Sequence, residues 1–478
     1  MTIGDTSVAL PPEDVCTGTG DCIFDELAST ACVGTNGFLG QENIATVISR
    51  HPTDLPVTVQ YLDAFGNQVS SVSMTLAPNL RQDFILSQMG LQPDTLGSVC
   101  VTADGPDGSW TGGLAIYKPD TRAGVPAFGE RFDFALYYPF LNAQEGRTSV
   151  PLNTFHLGTL ESNVVANWTS ISDATRDGRG LGGVLRFYNA SGSLIKETVV
   201  GIPDGGRADF SGHDGLFAGS SNFDAIGMAE FSPNNSSDKY YMNLTRYFYD
   251  CLPGQGICNN FHAAFNIPYR PGISSEISGG VATNNAEISV IELTNTTDEV
   301  VQADVNIYNG LGALAGSLSP AIPSRGTHHI IVNGILPDNE FGSATVKARS
   351  GSLHAVSLFY KLDAAGTMEY AYGAPLTASP GLLQVSSFNS FIAQTNTPEI
   401  INQSNTTTSV SLEYRDFTGA SVHSSNFVIP PRGTYRVNAL GLPGSTYGTM
   451  IVNANTPGVV TRNYTARPGS YVLSFFGQ

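Results

Sequence analysis

The feature that most constrains this chain is an internal repeat, because four segments carry the same marks in the same order. The first mark is an alternating strand that ends at Asp or Asn, with Gly three residues later: Asp63 and Gly66, Asn189 and Gly192, Asn309 and Gly312, Asp416 and Gly419. The Asp or Asn side chain caps a four-residue turn, and Gly tolerates positive φ at its end. Each mark therefore predicts a β-hairpin.

A proline-ended strand and a Gly-led strand follow each hairpin. The proline is accompanied by an arginine: Pro78 and Arg81, Pro203 and Arg207, Pro323 and Arg325, Pro430 and Arg432. The next strands begin at Gly97, Gly227, Gly342 and Gly448. Because proline cannot donate to a β-ladder, it predicts the end of a strand.

Aromatic residues mark a closing hairpin in every repeat. The outgoing strands carry Tyr117, Tyr247, Tyr360 and Tyr464, and the return strands carry Phe132 and Phe134, Phe261 and Phe265, Tyr370 and Tyr372, or Tyr471 and Phe475. These rings could form a platform for stacking sugars. Their recurrence in all four repeats favours packing across a sandwich or against the next repeat.

The repeat length predicts the architecture. Successive hairpins from Asp63 to Asn189, Asn309 and Asp416 are 126, 120 and 107 residues apart. About seven short strands in that length are typical of an antiparallel two-sheet sandwich, and the period excludes a propeller or a solenoid. We expect an N-terminal extension with a disulfide loop (1–35) and four sandwich domains (36–139, 140–268, 269–375 and 376–478). Short junctions with proline predict an elongated rod.

With strands such as Val459 to Tyr464, the repeat resembles the immunoglobulin-like or fibronectin-like repeats of bacterial extracellular and cell-surface proteins. The resemblance covers residues from about 36 to 478, and it implies an all-β fold of tandem sandwiches. The Cys, Trp and Cys core of antibody domains is absent, so the resemblance implies no immune-type recognition.

Composition narrows the classes of partner. The net charge is −18 and only 13% of residues are charged, so most faces would repel nucleic acid and anionic lipid. No apolar stretch approaches the roughly 20 residues that span a bilayer. The first ten residues lack a signal segment, so for an extracellular protein we expect the signal to be removed or to lie outside this sequence.

The six cysteines predict disulfides and an oxidising compartment. Fifteen complete pairings are formally possible. Cys251 and Cys258 flank a Gly- and Pro-rich turn, and Cys16 and Cys22 flank a small loop, which leaves Cys32 for Cys100. Alternation places Cys100 on the outer face of its sheet, where the bond would clamp the N-terminal segment onto the first repeat. A metal site is disfavoured because the spacing lacks CxxC pairs and nearby histidines.

Other candidate sites have simpler interpretations. Adjacent His328 and His329 point to opposite faces of a strand, so we expect one packed and one solvated ring. Asp173, Thr175, Asp177 and Gly178 imitate a calcium loop but lack its bidentate Glu, and Asp104, Asp107 and Gly108 form a similar polar loop. Nine Asn-x-Ser/Thr sequons occur, at Asn167, Asn189, Asn234, Asn235, Asn243, Asn295, Asn402, Asn405 and Asn463. We find no catalytic motif, so we expect neither enzymatic activity nor a cofactor nor a metal.

The sequence therefore favours an extracellular structural protein, a self-assembling subunit of a surface filament, sheath or layer. The alternative is an adhesin or glycan-binding surface protein of the same fold. The expected partner is a further copy of the chain, reached by an N-terminal arm (1–35) that adds to a neighbour's edge strand. Alternatively, the arm folds back over its own first repeat.

Overall fold

The protein is all-β. The computed structural model describes residues 29–120, 132–154, 164–212, 225–250, 260–269, 271–379, 381–437, 440–467 and 471–476. Within these ranges the strands form eight antiparallel sheets. None of the helices in the same ranges is long and apolar enough to cross a bilayer.

The strands fall into four successive units. Unit one contains β1 (Ser29–Asn36), β2 (Glu42–Ser49), β3 (Leu55–Asp63), β4 (Gln68–Leu76), β5 (Arg81–Ile85), β6 (Leu96–Ala103), β7 (Trp110–Pro119) and β8 (Phe132–Pro139). Unit two contains β9 (Thr148–Asn153), β10 (Val164–Asp173), β11 (Leu181–Asn189), β12 (Leu194–Ile202), β13 (Arg207–Ser211), β14 (Ile226–Pro233), β15 (Tyr240–Asp250) and β16 (Asn260–Pro268).

Units three and four repeat the pattern. Unit three contains β17 (Ile277–Ala282), β18 (Ile288–Asn295), β19 (Val301–Asn309), β20 (Leu314–Leu318), β21 (Ala321–Ile322), β22 (Thr327–Ile331), β23 (Phe341–Ala348), β24 (Leu353–Leu362) and β25 (Met368–Pro375). Unit four contains β26 (Leu383–Asn389), β27 (Thr395–Asn402), β28 (Thr408–Asp416), β29 (Ser421–Ile429), β30 (Thr434–Arg436), β31 (Tyr447–Ala454), β32 (Val459–Arg467) and β33 (Tyr471–Phe476). Single 3-10 turns lie at Phe38–Gly40, Asn284–Ala286 and Phe391–Ala393.

Each unit has the same pair of sheets. In unit one the strand orders are β1-β6-β3-β4 and β5-β2-β7-β8, and the corresponding strands of the other units follow the same orders. Unit three adds the short β21 beside β19. The recurrence of one topology in four units explains why the sequence marks recur in a fixed order.

The core of each unit is filled from alternate positions of its strands. The residue two places before the turn is buried in every unit, at Tyr61, Phe187, Ile307 and Tyr414. In unit one, Tyr61 shares a core with Val99 and Val101 of β6 and Leu114 of β7, which lie on different sheets. Side chains that alternate toward a shared core are what the period of two predicts.

The first unit begins earlier than the sequence indicated. Strand β1 pairs with β6 along its whole length, from Ser29 opposite Ala103 to Asn36 opposite Leu96. All of these residues except Asn36 fall within the segment assigned to an N-terminal extension (1–35), but they belong to the first sheet. The last strands of units one, two and three end at Pro139, Pro268 and Pro375, the prolines at which the sequence boundaries were set.

The four units form a closed ring, so the expectation of an elongated rod is wrong. The last strand of each unit contacts its counterparts in both neighbours: β8 touches β16 and β33, and β25 touches β16 and β33. Unit four therefore packs against unit one. Local turn chemistry predicts the strands, but it carries no information on the angle between successive units, and that angle decides between a rod and a ring.

The Asp/Asn-Gly turn of each unit docks on the proline bend of the next. A Cβ atom on Gly192 would lie 1.8 Å from the Ser324 backbone oxygen, and one on Gly312 would lie 2.0 Å from that of Pro431. Gly66 meets Asp204 in the same way, at 2.1 Å. At the contact between units four and one the fit is looser, with Leu80 Cδ2 at 3.8 Å from a Cβ on Gly419.

We expect Gly312→Ala to destabilise the ring more than Gly419→Ala. Both glycines have positive φ, +83° and +87°, so both substitutions carry the same backbone strain. Only Gly312→Ala also forces a methyl group into a neighbouring backbone, an overpacking cost of about 1–3 kcal/mol. Calorimetric melting of the two variants measures the difference, and equal losses would show that the turn does not dock as described.

Candidate functional site

Four contacts, which we call seams and label by the units that they join (1/2, 2/3, 3/4 and 4/1), hold the ring together. The arginine contacts and buried ion pairs described below lie at these seams. Two arginines stabilise seams 1/2 and 4/1 in the same way. Arg207 Nη1 of unit two donates to the carbonyl oxygens of Thr35 and Gly97 in unit one, the latter at 2.9 Å. Arg81 Nη1 of unit one donates to Phe388 O at 2.7 Å and Gly448 O at 3.2 Å, in unit four.

An adjacent carboxylate orients each of these two guanidinium groups. Arg81 is bound to Asp83 and Arg207 to Asp209, each through two N–H groups, with Nε distances of 2.9 Å. Both arginine side chains are 5% exposed. A carboxylate that fixes the planar guanidinium fork leaves its remaining N–H groups aimed at the neighbouring unit.

In the proline bends of units three and four, the arginine lies two residues earlier than in units one and two. These arginines stabilise the other two seams, 2/3 and 3/4. Arg432 binds Glu276 Oε1 of unit three at 2.6 Å and lies over the Tyr308 ring. Arg325 binds the buried Glu230 of unit two and lies over the Tyr188 ring at 5.3 Å. The arginine of each repeat thus contacts the preceding unit, a role that its position beside a proline did not indicate.

Closing-strand aromatics fill the seams, which confirms the packing interpretation. Phe134 meets Tyr247 at 5.5 Å between ring centres, and Phe248 meets Tyr360 at 5.8 Å. The other two seams hold the pairs Tyr372–Tyr464 (5.2 Å), Tyr117–Tyr471 (5.9 Å) and Tyr137–Phe475 (4.5 Å). Edge-to-face contacts of this kind add stability beyond the area that they bury.

A buried ionic triad crosses seam 2/3. Arg246 Nη2 of unit two lies 3.2 Å from Glu292 Oε1 of unit three, and both side chains are fully buried. The other carboxylate oxygen, Oε2, lies 2.7 Å from His329 Nε2. Burial alone would favour the neutral acid, but Arg246 and His329 hold the pKa of Glu292 below its ordinary value.

A second buried ionic cluster lies at seam 3/4 beside a cavity of about 370 Å³. Glu287 of unit three accepts hydrogen bonds at Oε1 from Tyr370 (3.0 Å) and Tyr372 (3.3 Å). Burial raises the pKa of Glu287, against the opposing effect of Arg436 from unit four. The fully buried Glu399 lies 3.5 Å from Arg436 and accepts a hydrogen bond from Tyr464 at 2.9 Å.

Cys32 and Cys100 form a disulfide. They lie directly opposite each other on β1 and β6, so the bond joins neighbouring strands of one sheet instead of clamping a separate segment onto its outside. Both are buried under unit two, where Arg176 Nη2 lies 2.8 Å from Cys100 Sγ. Cys16, Cys22, Cys251 and Cys258 lie outside the described residues.

The remaining sequence candidates occupy ordinary structural positions. His328 is exposed, while His329 belongs to the buried triad. Asp173 accepts backbone hydrogen bonds from Thr175 and Gly205, and Asp177 is paired with Arg179. Five sequon asparagines are buried in strands and therefore inaccessible to glycosylation: Asn167, Asn243, Asn295, Asn402 and Asn463.

Sequence reasoning missed Arg246, Glu292, Glu399 and Arg436. A signal was present at Glu292, which interrupts the apolar run of its strand where no charge is expected, whereas Glu399 only precedes Ile400 and Ile401. The partners could not be found locally, because Arg246 lies in one unit and Glu292 in the next. Within the described ranges, no three His, Cys, Asp or Glu side chains cluster as a metal site would require.

Comparison with known proteins gives no family. No family model and no curated protein matches the chain. Similar solved structures include the viral chemokine-binding protein R17 of rodent gammaherpesvirus Peru, at 10% identity over 72% of this chain and 88% of that one, with a TM-score of 0.15. The B domain of a biofilm-associated protein covers 48% of this chain and 80% of its own length, at 10% identity and a TM-score of 0.15.

Proposed function

We propose that this chain is an extracellular structural protein, a ring-shaped subunit that assembles with further copies into a surface layer, sheath or filament. The outer edges of the ring support this proposal. Strands β4, β12, β20 and β29 each form one edge of a sheet and expose most of their side chains. An edge strand presents unpaired backbone groups to which another strand can add.

Three of these edges lack charged and proline residues, although each carries a one-residue bulge beside its turn, at Val69, Ala315 and Val422. Strands β4 (QVSSVSMTL), β20 (LAGSL) and β29 (SVHSSNFVI) contain no Lys, Arg, Asp, Glu or Pro. They expose apolar side chains instead, such as Val72, Leu314 and Val428. Edges that face only solvent usually carry lysine, proline or a bulge. Because the bulge lies at the turn end of each of these strands, the uncharged remainder of the edge favours pairing with a second copy.

Assembly through these edges differs from the head-to-tail contact expected from the sequence. Within one chain, the turns of units one to three are already docked on the proline bends of units two to four, and seam 4/1 closes the ring. A closed ring has no free end for a propagating head-to-tail contact. Of the expected N-terminal arm (1–35), residues 29–35 pair with their own unit, and residues 1–28 lie outside the described structure.

We propose further that the units belong to the immunoglobulin-like class of sandwich. The second strand pairs with the fifth and the third with the sixth, as strands B with E and C with F do in that class. The first and seventh strands, β1 and β7, lie on the opposite sheets from their immunoglobulin counterparts. The proposal therefore concerns the class of sandwich and not its full topology.

We expect the purified chain to form polymers or sheets that are visible by electron microscopy and to sediment faster than a monomer. The triple substitution Val72→Lys, Leu314→Lys and Val428→Lys places a charge on all three uncharged edges and should abolish assembly. Val300→Lys, at a 61% exposed loop position outside the edge strands, adds the same charge and should leave assembly intact. A wild-type chain that stays monomeric at millimolar concentration would refute the proposal.

A further inference from the structure

The cavity at seam 3/4 contains buried polar atoms whose hydrogen-bonding capacity the protein leaves unused. Glu287 Oε2 and Arg436 Nε, on two residues that line the cavity, have no hydrogen-bond partner among the described residues, whereas Arg436 Nη1 lies 3.5 Å from Glu399 Oε2 in an ion pair. Glu287 is 4% exposed, and the side chains of Glu399 and Arg436 are 0% and 9% exposed. Buried polar groups in native proteins are nearly always satisfied by protein, by ordered water or by a ligand that takes the place of water. This cavity therefore requires an occupant that supplies hydrogen bonds.

The unused atoms define the chemistry of that occupant. The Glu287 oxygen needs a donor, and the Arg436 Nε–H group needs an acceptor. A hydroxyl group does both, so neighbouring hydroxyls of one molecule can bind Glu287 and Arg436 together. Acidic side chains (Glu287 and Glu369) and basic side chains (Lys361, Arg436 and Arg467) both line the cavity. A neutral ligand with several hydroxyl groups can bind both kinds, because a hydroxyl both donates and accepts hydrogen bonds.

Aromatic rings complete the cavity. Tyr370, Tyr372 and Tyr464 line it, and Tyr370 is half-buried at its mouth. A tyrosine ring offers an apolar face to C–H groups while its hydroxyl binds polar neighbours. The volume, about 370 Å³, lies within the range of small-ligand pockets. Stacking rings, paired carboxylate and guanidinium groups, and this volume together suit a ring-shaped polyol.

The combination of charged residues at this seam is not repeated at the equivalent positions of the other units, so the ring can form without it. The pair Glu399–Arg436 corresponds to Thr46–Asp83, Ser170–Asp209 and Glu292–His329 at the same register in the other units. The position of Glu287, directly after the 3-10 turn, is occupied by glutamine in units one and four, at Gln41 and Gln394. A buried acid is therefore dispensable for that turn.

We propose that the cavity between units three and four binds a neutral saccharide, with Glu287 and Arg436 holding its hydroxyl groups and Tyr370 stacking on its ring. The ligand is either a free monosaccharide or the terminal sugar of a glycan, since both present the same hydroxyls. This inference does not depend on the assembly proposed above, because the cavity lies within a single chain.

The test is a binding measurement on the full chain with D-glucose, D-galactose, D-mannose and N-acetyl-D-glucosamine by saturation-transfer NMR, alongside a glycan array that separates free from terminal sugars. We expect binding to one of them, weakened at least tenfold by Glu287→Gln. That substitution restores the residue found at the equivalent turns and should leave the melting temperature unchanged. The same change on the exposed β12, Glu197→Gln, should leave binding unchanged.

Two results would overturn the inference. One is an undiminished affinity in Glu287→Gln, which would place the sugar elsewhere. The other is no binding of any tested saccharide in solution or on the array, with a crystal structure in which only ordered water satisfies Glu287 and Arg436. Arg436→Gln provides a second check: it should also lose binding, and circular dichroism would show whether that variant remains folded.

Discussion

The variant Glu292→Ala is expected to lower the free energy of unfolding by about 3–5 kcal/mol, because it leaves the fully buried Arg246 without its carboxylate partner. Glu292→Gln keeps the side-chain volume and one hydrogen-bond acceptor, so it should lower the free energy of unfolding by less. Urea denaturation measures the loss. Hydrogen exchange of β15 and β18, which carry the two partners, should show that the change begins at seam 2/3.

The matched control is Arg349→Ala in the same unit, which removes an exposed ion pair with Asp304. Exposed pairs contribute little because water and salt screen them, so this variant should unfold like the wild type. A Glu292→Ala chain that unfolds at the same urea concentration as the control would show that the triad does not stabilise the seam.

Seam 2/3 should also weaken in acid. The pKa of Glu292 is held below its ordinary value in the folded chain, so its ionised form stabilises folding above the unfolded pKa of about 4.3. That contribution is lost as the pH falls through the lower, folded value. The wild type should therefore lose more stability on acidification than Glu292→Gln, and parallel pH profiles of the two would contradict this.

The second large effect is expected from Tyr61→Ala, which should destabilise unit one by about 3–5 kcal/mol. The ring is 2% exposed in the shared core of both sheets. Gln60→Ala, one position along β3, removes only an exposed hydrogen bond to Gln68 and should have little effect. The two tryptophans, Trp110 and Trp168, lie in units one and two, so their fluorescence follows unfolding of this half. Similar effects from both variants would show that the register is wrong.

The sequence predicted those structural features that depend on neighbouring residues. The burial of Tyr61 follows from strand alternation, and the turn at Asp63 follows from the chemistry of Asp and Gly, since Asp63 Oδ1 accepts hydrogen bonds from the backbone N–H groups of Phe65 and Asn67. Both are decided within a few residues along the chain. Periodicity and turn composition are sufficient for features of that kind.

The ring and its sites depend on distant residues, and the sequence did not predict them. Arg81 donates to Phe388 O, 307 positions away, so its role depends on the angle at which four units meet. The cavity at seam 3/4 depends on Glu287 and Arg436 from different units coming together. Single charged residues in apolar strands mark such positions, but they do not identify their partners.

Closure of the ring lowers the affinity that is needed at its loosest turn contact, the one between Gly419 and Leu80. Three of the seams join units that are consecutive in the chain, so the covalent backbone already holds units four and one near each other. Linked partners experience an effective concentration on the order of millimolar, and an intrinsically weak contact is then mostly formed. The loose fit between Gly419 and Leu80 is therefore sufficient inside one chain.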